Sequence, residues 1–222
     1  MSASPAVVPV VDDDVSFLTA VTRLLRAGCY EVKTFNSAAR FLESLPQADS
    51  PGCAIVDLRM PGFSGLKLRE ALAKENNPLP LVFLTGHGDI PTSVHAMRQG
   101  AEDFLAKPVK KQALFDAVER ALARDARERE QRARQRELQA RVEALTPRER
   151  EVLAHVLSGQ LNKQVANDLG TSERTIKAHR ANIMAKMGVQ SVAELARLAQ
   201  EAGVSVSSGH SPLPRLYCTK GQ

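Results

Sequence analysis

The purely apolar runs of this 222-residue chain stop far short of the roughly 18 residues that a membrane-spanning helix needs. The opening Met-Ser-Ala-Ser-Pro-Ala has neither a charged start nor an apolar core region, so no secretory signal is expected. Cysteine is scarce. Cys29, Cys53 and Cys218 are odd in number, far apart, and outside any CxxC or Cys/His cluster. That excludes a disulfide framework, disfavours a structural zinc site and fits a reduced cytoplasm. No GxxxxGK[ST] loop is present to cradle a nucleoside triphosphate. What is there is ordinary globular composition, 43% hydrophobic and 25% charged, in a length that suits one large domain or two small ones.

The net charge of +5 is unevenly spread. Residues 1–123 carry 13 Lys/Arg against 14 Asp/Glu, whereas residues 124–222 carry 17 against 11, a balance of +6. A neutral half joined to a basic half points to a polyanionic partner for the second, with a solvated basic surface as the bland alternative.

In the first half, short apolar runs at 7–11, 31–35, 53–57, 81–85 and, more weakly, 103–106 alternate with amphipathic stretches at 15–27, 38–45, 65–74, 92–98 and 112–122. Strands too apolar to face water, alternating with helices, predict a parallel sheet covered on both faces, with ligands at the carboxyl ends of its strands. Pro9 removes a ladder donor from a strand central to such a sheet, so a local irregularity is expected there. From 111 to 143 the pattern becomes one long helical run. Residues 124–137 carry almost no large apolar side chain and alternate in charge, which reads as a solvent-facing helical linker over 125–143. Thr146-Pro147-Arg148-Glu149 then predicts a capping box with proline at the first helical position. Helices at 148–158, 163–169, 173–187 and 192–202 follow, and residues 204–222, rich in Ser, Gly and Pro, read as a disordered tail.

Asp12, Asp13 and Asp14 follow the first strand, Asp57 ends the third, Thr85 ends the fourth and Lys107 follows the fifth. Neighbouring strands bring these groups to one rim. Packed carboxylates repel unless a divalent cation offsets them, and hard oxygen donors suit Mg²⁺ held for phosphoryl chemistry. Lys107 can neutralise phosphate oxygens and Thr85 can donate to one. The bland alternative is that each acid caps a helix, a role that Asp14 fits.

At these residues the chain resembles a response-regulator receiver domain. The resemblance rests on Val-Val-Asp12-Asp13-Asp14, Asp57-Leu-Arg-Met-Pro-Gly-Phe-Ser-Gly65, Thr85-Gly-His-Gly-Asp-Ile and Phe104-Leu-Ala-Lys107-Pro108, over residues 5–124. It implies an α/β flavodoxin-like fold with a five-stranded parallel sheet of order 2-1-3-4-5, and phosphorylation of Asp57 by a sensor histidine kinase. It further implies Mg²⁺ ligation by Asp13, Asp57 and the Arg59 backbone carbonyl, with Asp12 acting through water. Thr85 and Phe104 would be the switch pair, and Lys107 would contact the phosphoryl group. Pro108 is a candidate cis proline. Arg59 and His87 stand where side chains can help or hinder an attacking water, and Arg59, a poor water-positioner, predicts slow self-dephosphorylation.

In the basic half, Gly170 between two helical stretches predicts a tight turn, with Thr171 or Ser172 capping the second helix and Leu169 and Ile176 packing the pair. That second helix offers Arg174, Thr175, Lys177, Ala178, Arg180, Ala181 and Asn182 around its outer faces, side chains suited to phosphates and base edges. A generic helical bundle is the alternative until Leu145-Thr-Pro-Arg-Glu-Arg-Glu-Val-Leu153, Asn162-Lys-Gln-Val-Ala166 and Ser172-Glu-Arg-Thr-Ile-Lys-Ala-His-Arg-Ala-Asn-Ile-Met-Ala-Lys-Met187 are considered. These resemble the LuxR-type helix-turn-helix module over residues 144–203. With the receiver, the architecture is similar to the FixJ-like members of the NarL/FixJ response regulators. The resemblance places Lys177 and Ala178 at the groove, with Asn162, Lys163, Thr175 and Arg180 assisting. Ala181 stands where relatives have lysine. His179 reads first as interior and second as a DNA contact, and Val192, Leu195, Ala196 and Ala199 as a dimerisation face.

The function this implies is a cytoplasmic, DNA-binding response regulator with no enzymatic role beyond its own phosphorylation and dephosphorylation. Its expected partners are a sensor kinase, double-stranded promoter DNA, RNA polymerase and, when phosphorylated, a second copy of itself. Dimerisation and unmasking of the DNA-binding module both remain open as the means of activation. Two other readings compete. One is a receiver that serves as a passive dimerisation scaffold. The other is a small phosphohydrolase of the haloacid-dehalogenase type, which would want a second Asp where Arg59 stands.

Overall fold

Five short apolar runs pair into one parallel sheet. β1 (Val7–Val11), β2 (Glu31–Phe35), β3 (Ala54–Asp57), β4 (Leu81–Thr85) and β5 (Asp103–Ala106) lie in the expected order β2-β1-β3-β4-β5. The structure is a computed structural model that describes residues 6–45, 50–86, 102–206 and 216–218. The helix expected at 92–98 and His87 lie outside the described residues. The chain divides into two compact units, Met1–Glu130 and Gln131–Gln222.

In the first unit, α1 (Val15–Ala27), α2 (Ala38–Glu43), α3 (Gly65–Lys74) and the start of α4 (Lys111–Glu143) cover the sheet. The two-residue period of the strands sorts their side chains. Cys53, Ile55, Val82 and Leu84 pack with Leu18 and Val21 of α1 and Leu114 and Val118 of α4. Ala54, Val56, Leu81 and Phe83 pack with Phe41 of α2 and Leu68 and Leu72 of α3. Burying each large apolar side chain contributes about 1.5–3 kcal/mol, so both faces hold the sheet. Pro9 produces the expected irregularity. β1 pairs with β3 at Val10↔Ile55 and Val11↔Val56, the ladder then lapses, and Val7 meets Gly52 in an isolated bridge. A side chain at Gly52 would stand 2.6 Å from the Val7 carbonyl oxygen, which only glycine avoids.

The second unit is mostly helical. α5 (Pro147–Leu157) opens on the predicted capping box: the Glu149 N–H donates to Thr146 Oγ1 at 3.2 Å, and the Thr146 N–H donates to Glu149 Oε2 at 2.8 Å. α6 (Asn162–Asp168), α7 (Glu173–Met187) and α8 (Val192–Glu201) follow. Gly170 takes φ +60° between α6 and α7, a backbone that favours glycine, and Ser172 rather than Thr171 caps α7 by accepting the Thr175 N–H at 3.2 Å. Ile176, Ile183 and Met187 enter a core with Val152, Leu153 and Val165, and Leu169 packs against it.

Two expectations need correcting. The solvent-facing reading of 125–143 fails near both ends. Asp125 is 3% exposed and accepts the Gly52 N–H at 3.1 Å, while Leu138 and Val142 are buried in the core of the second unit. A hydropathy count treats an aspartate as solvated and cannot see the backbone donor that it satisfies. The disordered reading of 204–222 fails at the residues of that stretch that are described, because β6 (Val204–Val206) pairs antiparallel with β7 (Leu216–Cys218), and the rest of the stretch lies outside the described residues. These two strand-forming triplets are masked, in composition, by the Ser-, Gly- and Pro-rich segment between them.

Candidate carboxylate site and nucleic-acid interface

The carboxyl ends of β1, β3, β4 and β5 deliver the predicted constellation to one rim. Asp12 follows β1, and its Oδ1 accepts the Asp14 N–H at 2.9 Å. Asp57 ends β3. Asp12 and Asp57 are 1% and 6% exposed, whereas Asp13 is exposed. One carboxylate oxygen from each of the three lies within 4.8 Å of the others. Lys107 Nζ reaches into the cluster, 2.5 Å from Asp12 Oδ2 and 3.3 Å from Asp57 Oδ1. The backbone fixes its approach: the Lys107 N–H donates to the Thr85 carbonyl at 2.6 Å, and the Lys107–Pro108 bond is cis.

Burial raises the pKa of Asp57 most, and the Asp12 charge raises it further. Lys107 and the Arg59 N–H oppose this, because each favours the charged form, yet the net shift is upward. Three acids facing one ammonium leave negative charge uncompensated. A set of hard oxygen donors at this spacing fits a divalent cation. Buried yet cationically supported, Asp57 is placed to act as an oxygen nucleophile toward phosphorus.

The remaining predicted residues divide. Thr85 is buried at the end of β4, and its carbonyl accepts the Lys107 N–H. Phe104 is half-buried, opposite Phe83 in the β4–β5 register, and packs on the side of the sheet covered by α2 and α3. The Arg59 side chain is exposed, while its N–H contacts Asp57. Asp14 stands apart from the acidic cluster: it caps α1 by accepting the Ser16 and Phe17 N–H groups. Sequence reasoning missed Phe17, whose ring centroid lies 4.2 Å from Lys107 Nζ. Its place three residues after the helix cap, beside a strand end, was the available signal.

In the second unit Lys163, Arg174, Thr175, Lys177, Ala178, Ala181 and Asn182 are exposed, and Asn162, His179 and Arg180 are half-buried. His179 is thus neither fully interior nor fully presented. The cations here differ from their neighbours. Arg134 pairs with Glu201, Arg141 with Glu137, Arg148 with Glu151 and Lys186 with Glu149. Among the described residues, Lys163, Arg174, Lys177 and Arg180 have no acidic partner and no side-chain hydrogen bond. A face of unpaired cations on a helix-turn-helix suits a polyanion.

The expected dimerisation face does not survive intact. Leu195 and Ala199 are 2% and 0% exposed and belong to the core of their own unit, whereas Val192 and Ala196 reach the surface. The stripe that looked continuous in sequence serves two directions, because a helix of a small bundle turns its larger apolar residues inward.

Comparisons with known proteins match both parts of the chain. Residues 8–119 match the response regulator receiver domain, and residues 143–199 match the bacterial regulatory proteins of the luxR family. Nodulation protein W of Bradyrhizobium diazoefficiens is 42% identical over 93% of this chain and 90% of its own length. The transcriptional regulatory protein FixJ of the same organism is 39% identical over 88% and 95%. The solved response regulator StyR superposes with a TM-score of 0.82 at 44% identity, over 89% of this chain and 100% of that one.

Proposed function

Since this chain belongs to the two-component response regulators of the NarL/FixJ type, with a receiver domain and a luxR-type DNA-binding domain, we propose that phosphorylation of Asp57 controls its binding to promoter DNA and thereby activates transcription. The observation that carries this reading is Lys107 bridging Asp12 and Asp57 beside Asp13.

In the proposed step an Asp57 carboxylate oxygen attacks the phosphorus of a phosphohistidine on the sensor kinase. A P–O bond forms, the P–N bond breaks, and the imidazole leaves with the electron pair. Lys107 stands ready to pair with the phosphoryl oxygens and Thr85 to donate to one of them. Asp12, through water, Asp13, Asp57 and the Arg59 carbonyl would hold Mg²⁺, which supplies neutralisation of phosphoryl charge when bound. Phe104 would follow Thr85 as the second switch residue, so that the acyl phosphate favours one of two receiver conformations.

The output would be double-stranded DNA held by Lys163, Arg174, Lys177 and Arg180 on phosphates or guanine edges, with Asn162, Thr175, Ala178 and Asn182 nearer the bases. Phosphorylation would promote a homodimer that reads a paired site with a gain in effective concentration, and the bound dimer would contact RNA polymerase in the cytoplasm. Val192 and Ala196 are the members of the expected dimer face that remain accessible for this.

The test is the solution mass of the protein with Mg²⁺, before and after beryllofluoride, alongside Asp57→Asn. A monomer-to-dimer shift that the variant loses is expected. Binding of the mimic without a shift would replace dimerisation by unmasking of the DNA-binding module. No binding of the mimic would overturn phosphorylation and favour the passive scaffold.

A further inference from the structure

Lys107 has a neighbour that the carboxylate constellation does not explain. Its ammonium lies 4.2 Å from the centroid of the Phe17 ring, so the cation sits between two carboxylates and an aromatic face. The side chain is only 19% exposed, and a cation over a ring interacts more strongly when water is largely excluded.

Phe17 is itself held in place. Its N–H donates to Asp14 Oδ1 at 3.2 Å, one of the two bonds that cap α1. The Asp14 N–H donates to Asp12 Oδ1 at 2.9 Å, and Asp12 Oδ2 accepts from Lys107 Nζ at 2.5 Å. Asp12, Asp14, Phe17 and Lys107 therefore close a ring of contacts. Phe17 joins it twice, by its N–H to Asp14 and by its ring to Lys107.

We propose that Phe17 is a positioning residue for Lys107, confining the ammonium to reach of Asp57 so that it meets the incoming phosphoryl oxygens without a search through rotamers. The proposal rests on the reading of Asp57 as phospho-acceptor. Lysine is a point charge on a flexible stem, and the Lys107 N–H bond to Thr85 fixes only its backbone. The ring adds a further contact to the ammonium beside those of the two carboxylates. The competing role is plain packing, because Phe17 also lies against the core under α1 and α4. Leucine keeps that packing and removes the π face, whereas tyrosine keeps both.

The experiment compares the full-length wild type with Phe17→Leu and Phe17→Tyr. Phosphorylation by acetyl phosphate at saturating Mg²⁺ is followed by intact mass. The Mg²⁺ Kd is measured separately by calorimetry, and the Lys107 ε-methylene resonances are read by NMR without phosphate. Phe17→Leu is expected to phosphorylate about fivefold more slowly, with an unchanged Mg²⁺ Kd and loss of the upfield ring-current shift at Lys107. Phe17→Tyr should restore both rate and shift. The proposal is overturned if Phe17→Leu keeps the wild-type rate, if Phe17→Tyr is equally slow, or if the slowing only tracks weaker Mg²⁺ binding. A wild-type protein that accepts no phosphoryl group would overturn the reading of Asp57 and with it this role, while the ring-current shift would still report whether the Phe17–Lys107 contact exists.

Discussion

The two units handle charge in opposite ways. At the rim of the sheet, Asp12 and Asp57 are buried and Lys107 binds both. On the helix-turn-helix, Lys163, Arg174, Lys177 and Arg180 lie at the surface or half-exposed, with no partner among the described residues. Buried charges must be compensated within the fold, so their geometry is set before any ligand arrives. Surface cations cost the fold almost nothing and keep their field for an outside anion. The receiver rim accordingly fixes its charges against one another, whereas the basic face leaves its cations open to solvent.

The sharpest break of that contrast is Asp57→Asn. It should abolish acetyl-phosphate labelling completely while leaving the basal affinity of the helix-turn-helix for non-specific duplex DNA unchanged. A labelled variant, seen by intact mass, would move the phospho-acceptor elsewhere. Next in size, alanine at Lys163, Arg174, Lys177 and Arg180 together should flatten the slope of log K against log salt by up to about 3–4. The melting temperature should stay within a few degrees. A fold that collapses on their removal would show that these cations have structural partners after all.

A smaller effect separates paired from unpaired charge inside the second unit. Glu149 is 3% exposed, accepts from Lys186 at 2.7 Å and closes the α5 capping box. The Lys186 hydrogen bond, then the Thr146 N–H, hold its carboxyl below the usual range. A carboxyl depressed in the folded state adds stability that is present above its unfolded pKa and is lost as pH falls through its folded value. Glu149→Gln should therefore destabilise the unit by about 1–2 kcal/mol at neutral pH. The difference from wild type should shrink as the solution is acidified below about pH 4, which urea titrations at two pH values would check.

Asp57 gives the smallest effect, and one of opposite sign. Its carboxyl is raised, chiefly by burial, so the folded state binds its proton more tightly than the unfolded chain does. The resulting penalty is absent below the unfolded pKa and grows as pH rises through the folded one. Asp57→Asn should thus raise the melting temperature by a few degrees in Mg²⁺-free neutral buffer. Added Mg²⁺ should reverse the order by stabilising the wild type alone.

Local chemistry was legible where it depends on neighbours in the chain. The capping box at Thr146 and Glu149, the left-handed turn at Gly170 and the lapse at Pro9 follow from residue type and spacing. So did the rim constellation, because strand ends in a parallel sheet converge whatever the details of packing. Asp125 was not legible: nothing in a charged helical run announces that one aspartate will turn inward to the Gly52 N–H. Nor was the burial of Leu195 and Ala199, since an apolar helical stripe faces a core and a partner with the same spacing.

The sequence by itself determined the two-module organisation and the identity of the acids, because periodicity and turn chemistry act over a few residues, while the strand order followed only from the resemblance to receiver domains. Only the tertiary structure decided which groups share a charge: Lys107 meets Asp12, Asp57 and Phe17, whereas Lys163, Arg174, Lys177 and Arg180 have no acidic partner among the described residues. Electrostatic pairing depends on distance in space. Asp12 and Lys107 are 95 residues apart in the chain and 2.5 Å apart in the fold.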